Sequence, residues 1–333
     1  MASKTLTFVV NAGLTQSLWE GFRLFADRFD KDYRLEVFTT QDVEEEREAA
    51  LRLEESLKGS QMVFLDIRGG GKALGLCGRI LPQTSQPVVI LLGGSPDTMR
   101  LLRLGSFSLA QAMTRSSNKR GSRRFSEPNL SSIQKALRIV EKVATFFPLG
   151  PLKHMRNWIR MVTYWNQGGP ENIAYLLAFA AKHYLGERHF AVPTPVIFPD
   201  RGIYDPLHEK FYTSVDAYRR ANTNADDGPI VGLLFYGGMH FSQSLVPARA
   251  LAEALQRKGM GILPVFAKTG HNLDALRGYF LDGSRSLVDA VVYLQWFQLV
   301  TFTGDTHGAA VSLLKEINAP IFAGCPMYGG QCC

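Results

Sequence analysis

Twice along this chain, short apolar runs of strand length alternate with longer segments whose apolar residues recur at helical spacing. In the first stretch, Thr5–Val10, Arg34–Thr39, Gln61–Ile67 and Pro87–Leu92 are strand candidates. Between the first two lies Leu14–Phe29, with Leu14, Leu18, Phe22 and Phe25 on one face. Asp42–Leu57 reads as one charged helix with Leu53 and Leu57 facing inward. This β-α-β-α-β order demands a parallel sheet, because each strand must return to the same edge through a helix laid on a sheet face.

A second alternation starts at Pro229. Its strand candidates are Ile230–Phe235, Gly261–Phe266, Val288–Leu294 and Pro320–Ala323, and its helix candidates are Gln243–Lys258, Asn272–Phe280 and Thr306–Ile317. Between the two stretches come helical patterns at Ser131–Phe147, Lys153–Trp165 and Glu171–Tyr184, punctuated by Pro148, Gly150-Pro151 and Gly168-Gly169-Pro170, and then an extended Pro-rich run, Val192–Pro199. The expected fold class is α/β, two Rossmann-like or flavodoxin-like parallel-sheet units joined by a helical segment. A length of 333 residues suits about two domains.

No apolar run is long enough to span a bilayer; the nearest, Val288–Phe302, is interrupted by Asp289, Gln295 and Gln298. The amino terminus enters its first strand directly, without a signal-peptide pattern, so a cytoplasmic location is expected, or a plastid stroma in a plastid-bearing organism. Cys77, Cys325, Cys332 and Cys333 form no C-x-x-C pair and read as reduced thiols. The last strand leads into no helix, which is how a longer protein looks when truncated near a domain edge.

The net charge is +7, and Arg115, Lys119, Arg120, Arg123 and Arg124 concentrate it in the loop 114–127. Such a loop is either a solvated segment or a docking patch for an acidic partner or an anionic surface, peripheral membrane included. Nucleic acid is not expected as a partner, since Phe125 is the patch's one aromatic and no recognition motif accompanies it.

Arg68-Gly69-Gly70-Gly71-Lys72 follows a strand but fails the phosphate-loop spacing, with Ala73 after the lysine, and no nucleotide-binding residue is assigned. Gly237-Gly238-Met239-His240 either makes a strand-to-helix turn or lets a ligand approach the backbone. His240, His271 and His307 each follow the carboxyl end of a strand candidate, as does Cys325. Ligands of open α/β sheets bind along that edge, and imidazole and thiolate are metal ligands, so these four are candidate ligand or metal contacts if they converge. Asp200, Asp205 and His208 read as a capped loop opening a helix near Leu207. No nucleophile elbow, H-E-x-x-H or Cys–His spacing is present, and the catalytic residues stay unknown.

Ahead of residues 98–111, Ser95, Pro96 and Asp97 suit the cap and first turn of a helix, and Gly105-Ser106-Phe107-Ser108 then suits a break before a second short helix. As a string, Met99–Gln111 resembles the amino-terminal region of the large H subunit of magnesium chelatase, of the cobaltochelatase CobN-like family. Tyr164–Asn172 looks like that family's aromatic-Trp, Gly-Gly, Pro-acidic-Asn stretch, and Phe198–Pro206 is similar to its aspartate–glycine–isoleucine–aromatic–x-Pro stretch. Val231–Leu234 and Arg257–Phe266 resemble the start of the domain shared with cobaltochelatase. The chain departs where relatives often carry Arg-x-His, since here Gly238 and Met239 precede His240.

The resemblance implies an amino-terminal domain over 1–165, including the basic loop, and the truncated start of the CobN/magnesium chelatase domain over 166–333. It also implies a role as the amino-terminal part or short form of a porphyrin-binding subunit. The intact enzyme is a ligase of the chlorophyll and bacteriochlorophyll pathways of photosynthesis. It inserts Mg²⁺ into protoporphyrin IX while the partner I and D subunits use ATP. The chain alone is expected to be inactive. The alternatives are a non-catalytic tetrapyrrole-binding regulatory paralogue and a cobaltochelatase relative in cobalamin synthesis.

Overall fold

The computed structural model describes residues 3–93, 95–109, 150–222, 228–238, 241–295, 299–300 and 306–324. The chain divides into two compact units, Met1–Val196 and Ile197–Cys333.

The first unit is built on β1 (Lys4–Val10), β2 (Tyr33–Thr39), β3 (Met62–Ile67) and β4 (Val88–Gly93), with α1 (Thr15–Arg28), α2 (Thr40–Glu45), α3 (Arg47–Gly59) and α4 (Lys72–Ile80) between them. The strand order is β2-β1-β3-β4, all parallel, continued by α5 (Pro96–Arg100) and a small antiparallel pair, β5 (Arg103–Leu104) and β6 (Phe107–Ser108). Residues of β1 and β3 such as Leu6, Phe8, Val63, Phe64 and Leu65 are wholly buried, as a sheet covered on both faces requires.

The charged segment expected as one helix is two. The Thr39 hydroxyl caps α2 by accepting from the Asp42 backbone N–H at 3.0 Å, and Glu46 is extended at φ −111°, ψ 123° before α3 begins. A continuous helix would stack Glu44 and Glu48 one turn apart, where like charges repel. The Ser95 cap, with Pro96 in the first turn and the Ser95 hydroxyl accepting from Thr98, is as expected. The break after it is a hairpin turn: Gly105 takes φ +54°, and an added Cβ would strike the His154 imidazole.

The described helices of the helical segment, α6 (Pro151–Gln167) and α7 (Gly169–Tyr184), belong to the first unit. The Trp158 indole donates to the Ile90 carbonyl of β4 at 2.7 Å, and the Trp165 indole donates to the buried Asp66 carboxylate of β3 at 2.9 Å. These two bonds lay α6 on the sheet. On α7, Arg28 of α1 reaches the Tyr175 hydroxyl at 3.3 Å. Asn172 then clamps the chain as it leaves, donating to the Val196 carbonyl and accepting from its N–H, both at 2.9 Å.

The second unit carries β7 (Arg201–Asp205), β8 (Lys210–Tyr212), α8 (Val215–Ala221), β9 (Ile230–Tyr236), α9 (Phe241–Arg257), β10 (Gly261–Ala267) and α10 (Asn272–Phe280). A short hairpin, β11 (Leu281–Asp282) and β12 (Arg285–Ser286), leads to β13 (Ala290–Leu294), α11 (Thr306–Ile317) and β14 (Ile321–Ala323). The order β14-β13-β9-β10 is parallel, and β7 and β8 extend it antiparallel. Both units are therefore α/β, with a parallel four-stranded centre and an antiparallel edge. The helix expected near Leu207 is instead the turn between β7 and β8. Asp205 holds it by accepting from the N–H groups of Leu207 and His208 at 2.9 and 3.2 Å, and from His208 Nδ1 at 2.8 Å.

Burial pushes the Asp66 carboxyl above its usual range, outweighing the opposing pull of Arg68 at 3.4 Å and of the Trp165 bond. Folded Asp66 therefore keeps its proton at a pH where the unfolded chain has released it, and stability falls as pH rises between those two values. D66N lacks this slope. Its urea midpoint minus that of the parent is expected to grow as pH rises from about 4; a gap that stays flat or narrows contradicts the argument. W165F, which removes the donor, is expected to cost about 1–3 kcal/mol in the same unfolding measurement.

Candidate functional site

Among the four parallel strands of each sheet the strand order has one switch point, between β1 and β3 in the first unit and between β9 and β13 in the second. The crevice outside the carboxyl ends of such strands is where open α/β sheets take ligands. In both units a buried polar side chain stands there: Asp66 near the end of β3, and Gln295 just after β13.

In the second unit the Gln295 amide nitrogen lies 3.2 Å from the Phe235 carbonyl, 3.4 Å from that of Ala267 and 3.1 Å from Asn272 Oδ1. It thus links the ends of β9 and β10 to the first residue of α10. Asn272 in turn donates to the Leu299 carbonyl at 3.2 Å. Beside this network Lys268 donates to the Phe198 carbonyl at 2.8 Å and meets Asp200 at 3.2 Å. Gly237 is required here by close approach, since a Cβ would enter the Phe266 ring, while its N–H donates to the Ala267 carbonyl at 3.0 Å.

Of the sequence candidates, His271 stands at the start of α10, its Nε2 3.7 Å from Asp200, and its buried Nδ1 has no hydrogen-bond partner among the described residues. His307 is exposed in the first turn of α11. His240 and Cys325 lie outside the described residues, as do Arg115, Lys119, Arg120, Arg123 and Arg124 of the basic loop. Among the described residues no three His, Cys, Asp or Glu side chains group to hold a metal. Cys77 is buried in α4, and burial pushes its thiol up to about 12, so it presents no thiolate near neutral pH.

The glycine turn of the first unit is closed from within. The Glu44 carboxylate accepts from the Lys72 backbone N–H at the start of α4, the position a phosphate takes in a phosphate loop. Sequence reasoning passed over Asp66, Gln295 and Asn272, and it also missed an aromatic cluster beside Gly237. In that cluster Phe241 lies 5.0 Å from Tyr204, 5.5 Å from Phe266 and, nearly parallel, 6.1 Å from Phe211. Phe211 is 44% exposed. One signal was available: a lone acid or amide within, or directly after, an otherwise apolar strand.

Removing the Gln295 amide takes its two N–H donors from the Phe235 carbonyl and Asn272 Oδ1, while the Ala267 carbonyl keeps the Gly237 N–H. Q295L is expected to lose about 1–3 kcal/mol in urea unfolding, whereas H307A, at an exposed position, is expected to be neutral within about 0.5 kcal/mol.

Comparisons with known proteins bear on what these crevices belong to. The family model described as CobN/Magnesium Chelatase matches residues 162–332, more than half of the chain, and a domain of unknown function (DUF3479) matches residues 9–159. The magnesium-chelatase H subunit of Cereibacter sphaeroides is 26% identical over 70% of this chain and 20% of its own length. The chloroplastic magnesium-chelatase subunit ChlH of Oryza sativa subsp. indica is 27% identical over 72% of this chain and 18% of its own. The magnesium-chelatase H subunit of Chlorobaculum parvum is 23% identical over 95% of this chain and 25% of its own. The matches thus span between 18% and 25% of the length of these relatives. Among the described residues no helix is long and apolar enough to cross a membrane. With its second unit almost wholly inside the matched region, the chain belongs to the CobN/magnesium chelatase family.

Proposed function

We propose that the chain supplies the amino-terminal part of a porphyrin-binding H subunit of magnesium chelatase. The whole enzyme would insert Mg²⁺ into protoporphyrin IX in chlorophyll or bacteriochlorophyll biosynthesis. The observation that carries this reading is order and extent. Two family models follow one another along the chain, and one relative's H subunit aligns with 95% of it. All three relatives named above are magnesium-chelatase subunits, which favours magnesium over cobalt.

In this reading the chain's part is contact and docking. Insertion must strip two pyrrole N–H protons and shed water from a tightly hydrated Mg²⁺, work for bases in an enclosed site. The described residues offer instead an exposed ring, Phe211, backed by the partly buried Phe241 and the buried Tyr204 and Phe266, beside the carboxyl ends of β9 and β10. A flat macrocycle stacks on such rings. His240, His271, His307 and Cys325 are the tetrapyrrole or metal candidates along the same strand ends. Arg115, Lys119, Arg120, Arg123 and Arg124 are the candidates for docking the ATP-hydrolysing I and D subunits.

Titrating the chain with deuteroporphyrin IX is expected to quench its tryptophan fluorescence saturably, and F211A to weaken that binding about tenfold, the equivalent of one stacking contact. Absence of quenching overturns the tetrapyrrole contact. Mixed with I and D subunits, ATP, Mg²⁺ and porphyrin, the chain alone is expected to yield no magnesium porphyrin; clear product overturns its assignment as a non-catalytic part.

A further inference from the structure

The first unit holds a half-open cavity of about 300 Å³, between α3 on one side and the start of β1 and the length of β2 on the other. This is the small end of the range for ligand sites. A helix usually lays apolar residues on a sheet face, but here the sheet offers Thr5, Arg34 and Glu36, with Thr5 opposite Arg34 and Thr7 opposite Glu36 in the register. Arg52, Glu55 and Ser60 face them from α3 and its end.

The polar groups are unevenly used. Arg34 and Glu36 pair at 3.0 Å, and the Arg52 guanidinium lies 5.9 Å over the Phe38 ring. Neither Arg52 nor Glu55 has an ion-pair partner among the described residues. The Ser60 hydroxyl is buried in the wall with no hydrogen-bond partner among them, and a change of rotamer is the inexpensive way for it to gain one. The carboxyl end of α3 opens on the cavity at Gly59, bringing the negative end of the helix dipole.

Two guanidinium and two carboxylate groups line the cavity together. A simple anion there would meet Glu36 and Glu55, and a simple cation would meet Arg34 and Arg52, so the lining selects against either alone. We propose that this cavity binds a small zwitterion of the amino-acid class. Its carboxylate sits on Arg52, and its ammonium lies between Glu55 and the carboxyl end of α3. The proposal is independent of the tetrapyrrole reading.

Isothermal titration of the full chain with the L-amino acids tests it, with the amine and the carboxylic acid of each matching side chain as controls. At least one amino acid is expected to bind, and its amine and acid counterparts to bind about tenfold more weakly or worse. R52A and E55A alter positions that the fold does not bury, so folding is expected to persist by far-UV circular dichroism, and each is expected to lower that affinity about tenfold or more. No binding by any amino acid, equal binding by the amine or acid alone, or affinity unchanged in both variants overturns the proposal.

Discussion

The indole N–H of Trp165 and the carboxylate of Asp66 form the bond on which the first unit turns. A carboxyl group wholly enclosed in a parallel sheet is costly unless it is hydrogen-bonded, even where burial favours its protonated form. Besides Arg68, two residues away, its donor comes from a helix 99 residues further along the chain. Satisfying Asp66 therefore dictates where α6 lies, and α6 carries with it Trp158 on β4, His154 against the Gly105 hairpin, and α7 beyond. The stretch Tyr164–Asn172, met first as a family pattern, thus has a structural reason. Trp165 satisfies the buried acid, Tyr164 donates its hydroxyl to the Pro193 carbonyl, and Asn172 holds Val196.

Much of the fold was legible because strand burial and helix amphipathicity leave direct marks. β1, β2, β3 and β4 lie within a residue of their expected limits, as does the Ser95 cap, and α10 and α11 coincide with theirs. The failures share a cause. The split at Glu46, the hairpin at Gly105 and the turn at Asp205 are each decided by a partner distant in sequence or by a local side-chain bond. Periodicity registers neither. The helices after Gly150 read correctly as helices, with α6 inside the amino-terminal domain expected over 1–165 and α7 beyond it; in the structure both belong to the first unit, and two indole bonds to strands 68 and 99 residues earlier place α6.

The candidate site was less legible than the fold. Reasoning from the carboxyl ends of strands turned to that edge of the second sheet and weighted residue types that bind metals. The group that ties that edge together is an amide, Gln295, which no ligand rule singles out. Its role follows from counting the carbonyls that end β9 and β10, and that count needs the strand order. The two crevices are alike in this respect. Each has at its strand ends one buried polar side chain that the neighbouring backbone or indole satisfies.

The Glu44 carboxylate at the start of α4 has a consequence for anything that would approach the triglycine turn. It is tethered through α2 to the same sheet, so it competes at a high effective concentration that no dissolved phosphate matches at ordinary levels. An incoming anion would have to displace a covalently supplied rival and leave a second negative charge nearby. The turn therefore behaves as a latch between α2 and α4, with the glycines making room for the chain's own acid.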